Sequence, residues 1–117
     1  MTITRYQPGS RMSQGVRHGQ TLYLAGQVAS DYDGNIEKQT REVLEAIDGL
    51  LAEAGTSKSR LLSCQVILNN IADFAAMNAV YDAWIDPANP PARACIEARL
   101  AHPSLKVEII AIAALPE

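Results

Sequence analysis

Pro90-Pro91-Ala92-Arg93-Ala94-Cys95, with Lys106-Val107-Glu108-Ile109-Ile110-Ala111-Ile112-Ala113-Ala114-Leu115 beyond it, decides how the rest of the chain is read. Both pieces read as strands. The second is apolar at nearly every position, the pattern of a central strand with both faces covered. Glu108 interrupts it. A carboxylate there is costly to bury unless paired or hydrogen-bonded, and Arg93 is the expected partner or neighbour. In the first piece, period-two alternation sets Arg93, Cys95, Glu97 and Arg99 on one face and Ala92, Ala94, Ile96 and Ala98 on the other. Arg93 and Cys95 therefore look the same way.

Upstream, Asp86-Pro87-Ala88-Asn89-Pro90-Pro91 ends a helix whose apolar stripe is Phe74, Met77, Tyr81, Trp84 and Ile85, with Asn70 as a candidate N-cap. Asn78 falls inside that stripe, and its amide needs partners: neighbouring backbone or a ligand. Ser59 to Asn69 holds a strand in which Cys64 reads as core packing. Before it, Ile36, Thr40, Val43, Leu44, Ile47, Leu50, Leu51 and Ala54 recur at helical spacing between a cap at Asn35 and a terminating Gly55. Glu37, Lys38, Arg41, Glu45 and Asp48 form its solvated face. Nearer the N-terminus, residues 2 to 6 alternate weakly, and Ser13–Arg17 and Thr21–Ala25 read as a hairpin turning at His18-Gly19. The order is strand, strand, strand, helix, strand, helix, strand, strand, an α+β pattern of six strands and two helices. If both helices pack on one face of the sheet, the other face is left for self-association.

At 117 residues the chain has the length of a single domain spanning 1–117. A net charge of −3, a pI of about 5.3 and the lack of any block of like charges advertise neither a nucleic-acid nor a membrane surface. Cys64 and Cys95 lie in separate predicted strands without neighbours that complete a zinc spacing, so reduced thiols are expected. His18 and His102 fall in predicted turns, which disfavours a histidine-based triad. The sequence carries no signal-peptide pattern and no membrane-spanning apolar stretch, and a cytoplasmic setting is expected.

The two C-terminal stretches resemble the signature of the RidA/YjgF (Rid, RutC-like) family of enamine/imine deaminases. The resemblance extends to Ser13-Gln14-Gly15-Val16, Ala25-Gly26-Gln27, Gln39-Thr40 and Asp73-Phe74-Ala75-Ala76-Met77-Asn78, in the family's order over nearly the whole chain. It implies a chorismate-mutase-like β-β-β-α-β-α-β-β fold, a six-stranded mixed sheet with two helices on one face. It also implies a homotrimer whose sheets form a central barrel, with sites in the clefts between subunits. The implied reaction is hydrolysis of reactive 2-imino acids and enamines, of the 2-aminoacrylate/2-iminopropanoate type, to 2-keto acids and ammonia. No metal or cofactor is required.

Such hydrolysis needs a cation for the carboxylate and a group that positions water and moves a proton. Arg93 suits the first task because its planar fork matches a carboxylate bidentately; its alternative role is a structural salt bridge. Glu108 suits the second, with the alternative of serving as the counter-ion of Arg93. Cys95 lacks a histidine to form its thiolate and is read as pocket lining. Gly26 corresponds to a family glycine where backbone approaches ligand, and Asn78 to a family asparagine. Two departures bear on substrate. Met12 stands where relatives acting on small imino acids usually have tyrosine, and Ala25 where they often have serine, so the pocket is more apolar. The rival readings are a non-catalytic carboxylate-binding or regulatory member of the same fold and, less favoured by the acidic balance, an endoribonuclease or translation inhibitor.

Overall fold

The computed structural model of the chain describes residues 2–117. Strands β1 (Ile3–Tyr6), β2 (Gly15–His18) and β3 (Thr21–Leu24) form an antiparallel meander. Its second turn is made at Gly19, which takes the positive φ of 63° that a side chain resists. A two-residue strand β4 (Gln27–Val28) leads to helix α1 (Ile36–Glu53), strand β5 (Leu61–Leu68), helix α2 (Phe74–Trp84) and strands β6 (Ala92–Glu97) and β7 (Val107–Ala114). The sheet runs β1-β2-β3-β7-β5-β6, with β4 also on β7. Among the described residues only the β5–β6 pair is parallel. The last strand in sequence thus lies in the middle, as its apolar composition requires.

Among the described residues the strands number seven rather than the expected six, and the reason is local. Tyr23 pairs with Ile112 and Gln27 with Ile109, so one side advances four residues while β7 advances three. The extra residue is a bulge around Ala25-Gly26, after which the chain resumes pairing instead of leaving the sheet.

Asn35 caps α1 by accepting from Lys38 N–H at 2.9 Å, and Gly55 follows the helix with φ 82°. The expected stripe of α1 is buried from Ile36 to Leu51, and with Met77 and Tyr81 of α2 it covers one face of the sheet. Each fully buried Val, Leu or Ile there contributes about 1.5–3 kcal/mol. The stripe of α2 is narrower than its spacing predicts. Met77 and Tyr81 are buried, whereas Phe74 is 42 % exposed. Asn70 caps a 3-10 turn, accepting from Ala72 N–H, and the α-helix starts only at Phe74. Among the described residues no helix is long and apolar enough to cross a membrane.

Along β7 the alternation is strict. Val107, Ile109, Ala111 and Ala113 are buried under the helices, while Glu108, Ile110, Ile112 and Ala114 are only half-buried on the other face. Both faces of β7 were expected to be covered, but one chain covers only one of them, because both helices pack on the same side.

Candidate active site

The register of the sheet divides the expected site residues into two groups. Arg93 on β6 lies level with Cys64 on β5, which lies level with Ala111 on β7. Cys64 and Ala111 are buried beneath the helices, so Arg93 projects on the helix side. Glu108 lies level with Ile67 and, through it, with Ile96, on the opposite face. The expectation that Arg93 and Glu108 are neighbours is therefore corrected within one chain. They come from strands on opposite edges of β5, and their registers have opposite parity.

Arg93 is supported by α2. Its Nη1 donates to Asn78 Oδ1 at 2.8 Å, and the guanidinium stands 4.7 Å from the Tyr81 ring centre and 5.9 Å from that of Phe74. These are cation–π distances. Phe74, Asn78 and Tyr81 share one helix face because they are spaced by four and three residues. Asn78 thus meets a charged side chain rather than the backbone alone. Among the described residues no carboxylate lies within salt-bridge reach of Arg93. The guanidinium borders an open cleft of about 330 Å³, lined also by Asn78, Tyr81, Asp82 and Pro91. Burial pushes the Tyr81 phenol up to about 12, with Cys64 adding to the rise and Arg93 opposing it. The ring beneath the cation is accordingly neutral.

Cys95 follows Arg93 on the same face and is half-buried. Burial raises its thiol above the ordinary value against the pull of the Arg93 charge. Cys64 is raised further, to about 11, again by burial first. Neither is a ready thiolate. Glu97 also follows the expected parity and accepts from Ile71 N–H at 2.8 Å; Arg99 lies beyond the end of the strand.

Glu108 forms the second group with the bulge. A β-carbon added to Gly26 would sit 2.2 Å from Glu108 Oε2 and 2.8 Å from its Cδ. The carboxylate thus lies directly across the bare Cα, in space that only glycine leaves open. Ala25 is the adjacent bulge residue, and its N–H donates to Gln14 O at 2.9 Å. Met12, 49 % exposed in the β1–β2 loop, lies two residues before Gln14. Its loop therefore runs beside the bulge, not beside β6. Among the described residues no three His, Cys, Asp or Glu side chains converge as metal ligands.

The sequence reading missed Tyr81 and Phe74 as supports for Arg93, having placed both in the core stripe. Their shared helix face with Asn78 was the available signal. It also missed the bulge, which one unpaired residue creates without a motif of its own.

A family model described as Endoribonuclease L-PSP matches residues 2–115. A RutC family protein of Haemophilus influenzae is 45 % identical over 114 residues, covering 97 % of this chain and 98 % of that protein. The RutC family protein YoaB of Escherichia coli K12 is 39 % identical over 115 residues, covering 98 % and 100 %. Among solved structures, a member of the YjgF protein family from Neisseria meningitidis aligns with a TM-score of 0.97 at 38 % identity, over 100 % of this chain and 98 % of that one. Sequence and fold agree over essentially the full length, and the chain belongs to the RutC/YjgF family.

Proposed function

We propose that the protein hydrolyses 2-imino acids and their enamine tautomers to 2-keto acids and ammonia, at a site completed between copies of the chain. The observation that carries this reading is Arg93: a guanidinium aimed by Asn78 and an aromatic bed, bordering a cleft and unpaired with any described carboxylate. A fork held this way is ready for a substrate carboxylate, a charge-assisted contact of about 1.5–3 kcal/mol. Glu108 takes a proton from water as its oxygen bonds to the imine carbon. The C=N bond becomes a C–N single bond, and a tetrahedral carbinolamine forms. The imine enters protonated, so that Glu108 can pass its proton to the amine nitrogen of the carbinolamine; ammonia leaves as the C–N bond breaks, and the hydroxyl proton returns to Glu108 as the carbonyl of the keto acid forms. Such proton transfer contributes about 10²- to 10⁴-fold. The chain's own residues supply every role, without metal or cofactor.

Because Arg93 and Glu108 project from opposite faces, one chain does not assemble both halves of the site. The half-buried row on β7, together with exposed Tyr23, Leu62 and Ile96, provides an apolar face for association. A homotrimer with sites between subunits fits both facts. A second reading, capture of a small carboxylate without turnover, is favoured by Met12 and Ala25, which bring no hydroxyl to the Glu108 side. The family model's endoribonuclease description finds little support in the net charge of −3.

The test is release of keto acid and ammonia from 2-imino acids generated in situ by an amino-acid oxidase, across several side chains. Wild type is expected to exceed spontaneous hydrolysis, and Arg93→Ala to abolish the excess. Arg93→Lys should also lose most activity while remaining folded, since a point charge does not reproduce the fork. Near-wild-type turnover in Arg93→Lys would sink the clamp role, and no acceleration for any substrate would leave carboxylate capture as the better reading.

A further inference from the structure

The bulge that carries Gly26 is held from the helix side of the sheet, opposite to the carboxylate that Gly26 faces. Strand β4 resumes pairing with Gln27 level with Ile109 and Val28 level with Glu108. Ile109 is fully buried beneath the helices, so Gln27 projects on that side while Glu108 projects on the open one. Ala25 and Gly26 lie between β3 and β4, and a bulge interrupts the ladder bonds that fix the peptides on either side of it. Two glutamines take over that task. Gln14 O accepts from Ala25 N–H at 2.9 Å, and Gln27 Nε2 donates to Ala25 O and to Gln14 Oε1, each at 3.0 Å. Both N–H groups of the Gln27 amide are thus engaged on the bulge and its neighbour. Gln14 is itself tied to β1, its N–H donating to Tyr6 O at 3.0 Å. The Ala25 carbonyl belongs to the peptide that ends at Gly26, so the bond from Gln27 fixes the plane of that peptide and, with it, the direction in which the bare Cα faces Glu108.

We propose that Gln27 is a positioning residue for Glu108, locking the Ala25-Gly26 bulge from the far face of the sheet so that the carboxylate is seated against the Gly26 Cα. Among the described residues no ion pair holds Glu108, so its place depends on what it packs against. That neighbour is Gly26, and Gly26 is only as fixed as the peptide before it. The effect of Gln27 on rate rests on the hydrolysis proposed above; its effect on where the carboxylate lies does not.

The test is Gln27→Met, which keeps the length of the side chain and removes both donors. A cleft of about 490 Å³ bordered by Gln14, Gln27 and Gly49 leaves room for the thioether on the helix side. Two readouts are taken on the full-length protein. The first is the nuclear Overhauser contact between the Gly26 α-protons and the Glu108 γ-protons, expected in wild type because a β-carbon on Gly26 would lie 3.1 Å from Glu108 Cγ; Gln27→Met should lose it. The second is keto-acid release. A misplacement of about 1 Å costs on the order of 10²-fold, and a loosened bulge still visits the right position, so kcat should fall about tenfold with KM within about twofold of wild type. In a Glu108→Ala background Gln27→Met should cost nothing further, whereas general destabilisation would lower the activity of both backgrounds alike. Should Gln27→Met fail to fold, Gln27→Glu, equal in length and without either donor, carries the same expectations. An undiminished Gly26–Glu108 contact overturns the proposal, as do wild-type kcat in the folded variant and additive losses in the double variant. Absence of turnover in wild type would instead sink the hydrolysis reading, and the Gly26–Glu108 contact alone would then decide whether Gln27 seats the carboxylate.

Discussion

Replacing Gly26 by alanine tests whether the position of the Glu108 carboxylate matters, as distinct from its presence. The added β-carbon would lie 2.2 Å from Oε2, 2.8 Å from Cδ and 3.1 Å from Cγ of Glu108. Non-bonded heavy atoms settle at about 3.5 Å, so the carboxylate has to retreat by roughly 1 Å or more. The backbone itself accepts alanine, because Gly26 is not among the positive-φ residues. The displaced group is the end of a flexible, half-buried side chain, and an off-rotamer shift costs about 0.5–1.5 kcal/mol. Reduced freedom of the unfolded chain offsets about 0.4–1 kcal/mol of that, so net stability should change by no more than about 1 kcal/mol. Catalysis is less forgiving. A misplacement of about 1 Å in a reacting group costs on the order of 10²-fold. Gly26→Ala should therefore lose about 10²-fold in kcat for keto-acid release, with a thermal midpoint near that of wild type. In a Glu108→Ala background the same substitution should cost nothing further, since the two changes disable one group. Wild-type kcat in folded Gly26→Ala would refute the reasoning, as would additive losses in the double variant.

Tyr81→Leu, which removes the ring beneath Arg93, should raise KM about two- to fivefold with a smaller change in kcat, while Tyr81→Phe keeps the ring and should match wild type; equal effects of the two would sink the cation–π support. Gln39 is fully buried and ties Gly34 O, Ser104 O and Lys106 N–H to one amide at 2.8–3.0 Å, joining the loop before α1 to the loop before β7. Gln39→Ala strands all three groups and should cost at least about 3 kcal/mol, read from the denaturant midpoint; a loss under about 1 kcal/mol would contradict this. Burial raises the Cys64 thiol from 9.0 to about 11, so below pH 9 folded and unfolded states are equally protonated there, and above it the unfolded state sheds the proton first. Stability should fall as the pH rises from 9 to 11, and Cys64→Ala should flatten that fall; an unchanged slope in the variant would remove Cys64 as its cause.

The fold was legible where local chemistry and the core demand the same thing. The α1 stripe, its Asn35 cap and Gly55, the Gly19 turn and the placement of β7 all follow from spacing and backbone preference, and each stands in the structure as read. The α2 stripe was over-read, because helical spacing says which residues share a face but not how wide a sheet lies beneath them. Phe74 runs off the covered part and stands beside Arg93 instead. The bulge at Ala25-Gly26 was invisible, since it arises from the mismatch between two strands' advances and not from either sequence alone.

The candidate site divides in the same way. The sequence by itself determined which residue types are present: a guanidinium at Arg93, a carboxylate at Glu108, a glycine at Gly26, an amide at Asn78, and side chains without a hydroxyl at Met12 and Ala25. It also determined that Arg93 and Cys95 share a face, because a strand's period of two is a property of its own backbone. Only the tertiary structure decided that Arg93 and Glu108 project from opposite faces of one sheet, and that Gly26 is the residue over which the Glu108 carboxylate lies. Those relations depend on the register between β6, β5 and β7, where a shift of one residue exchanges the faces, and register is set by how the whole apolar set packs beneath the helices.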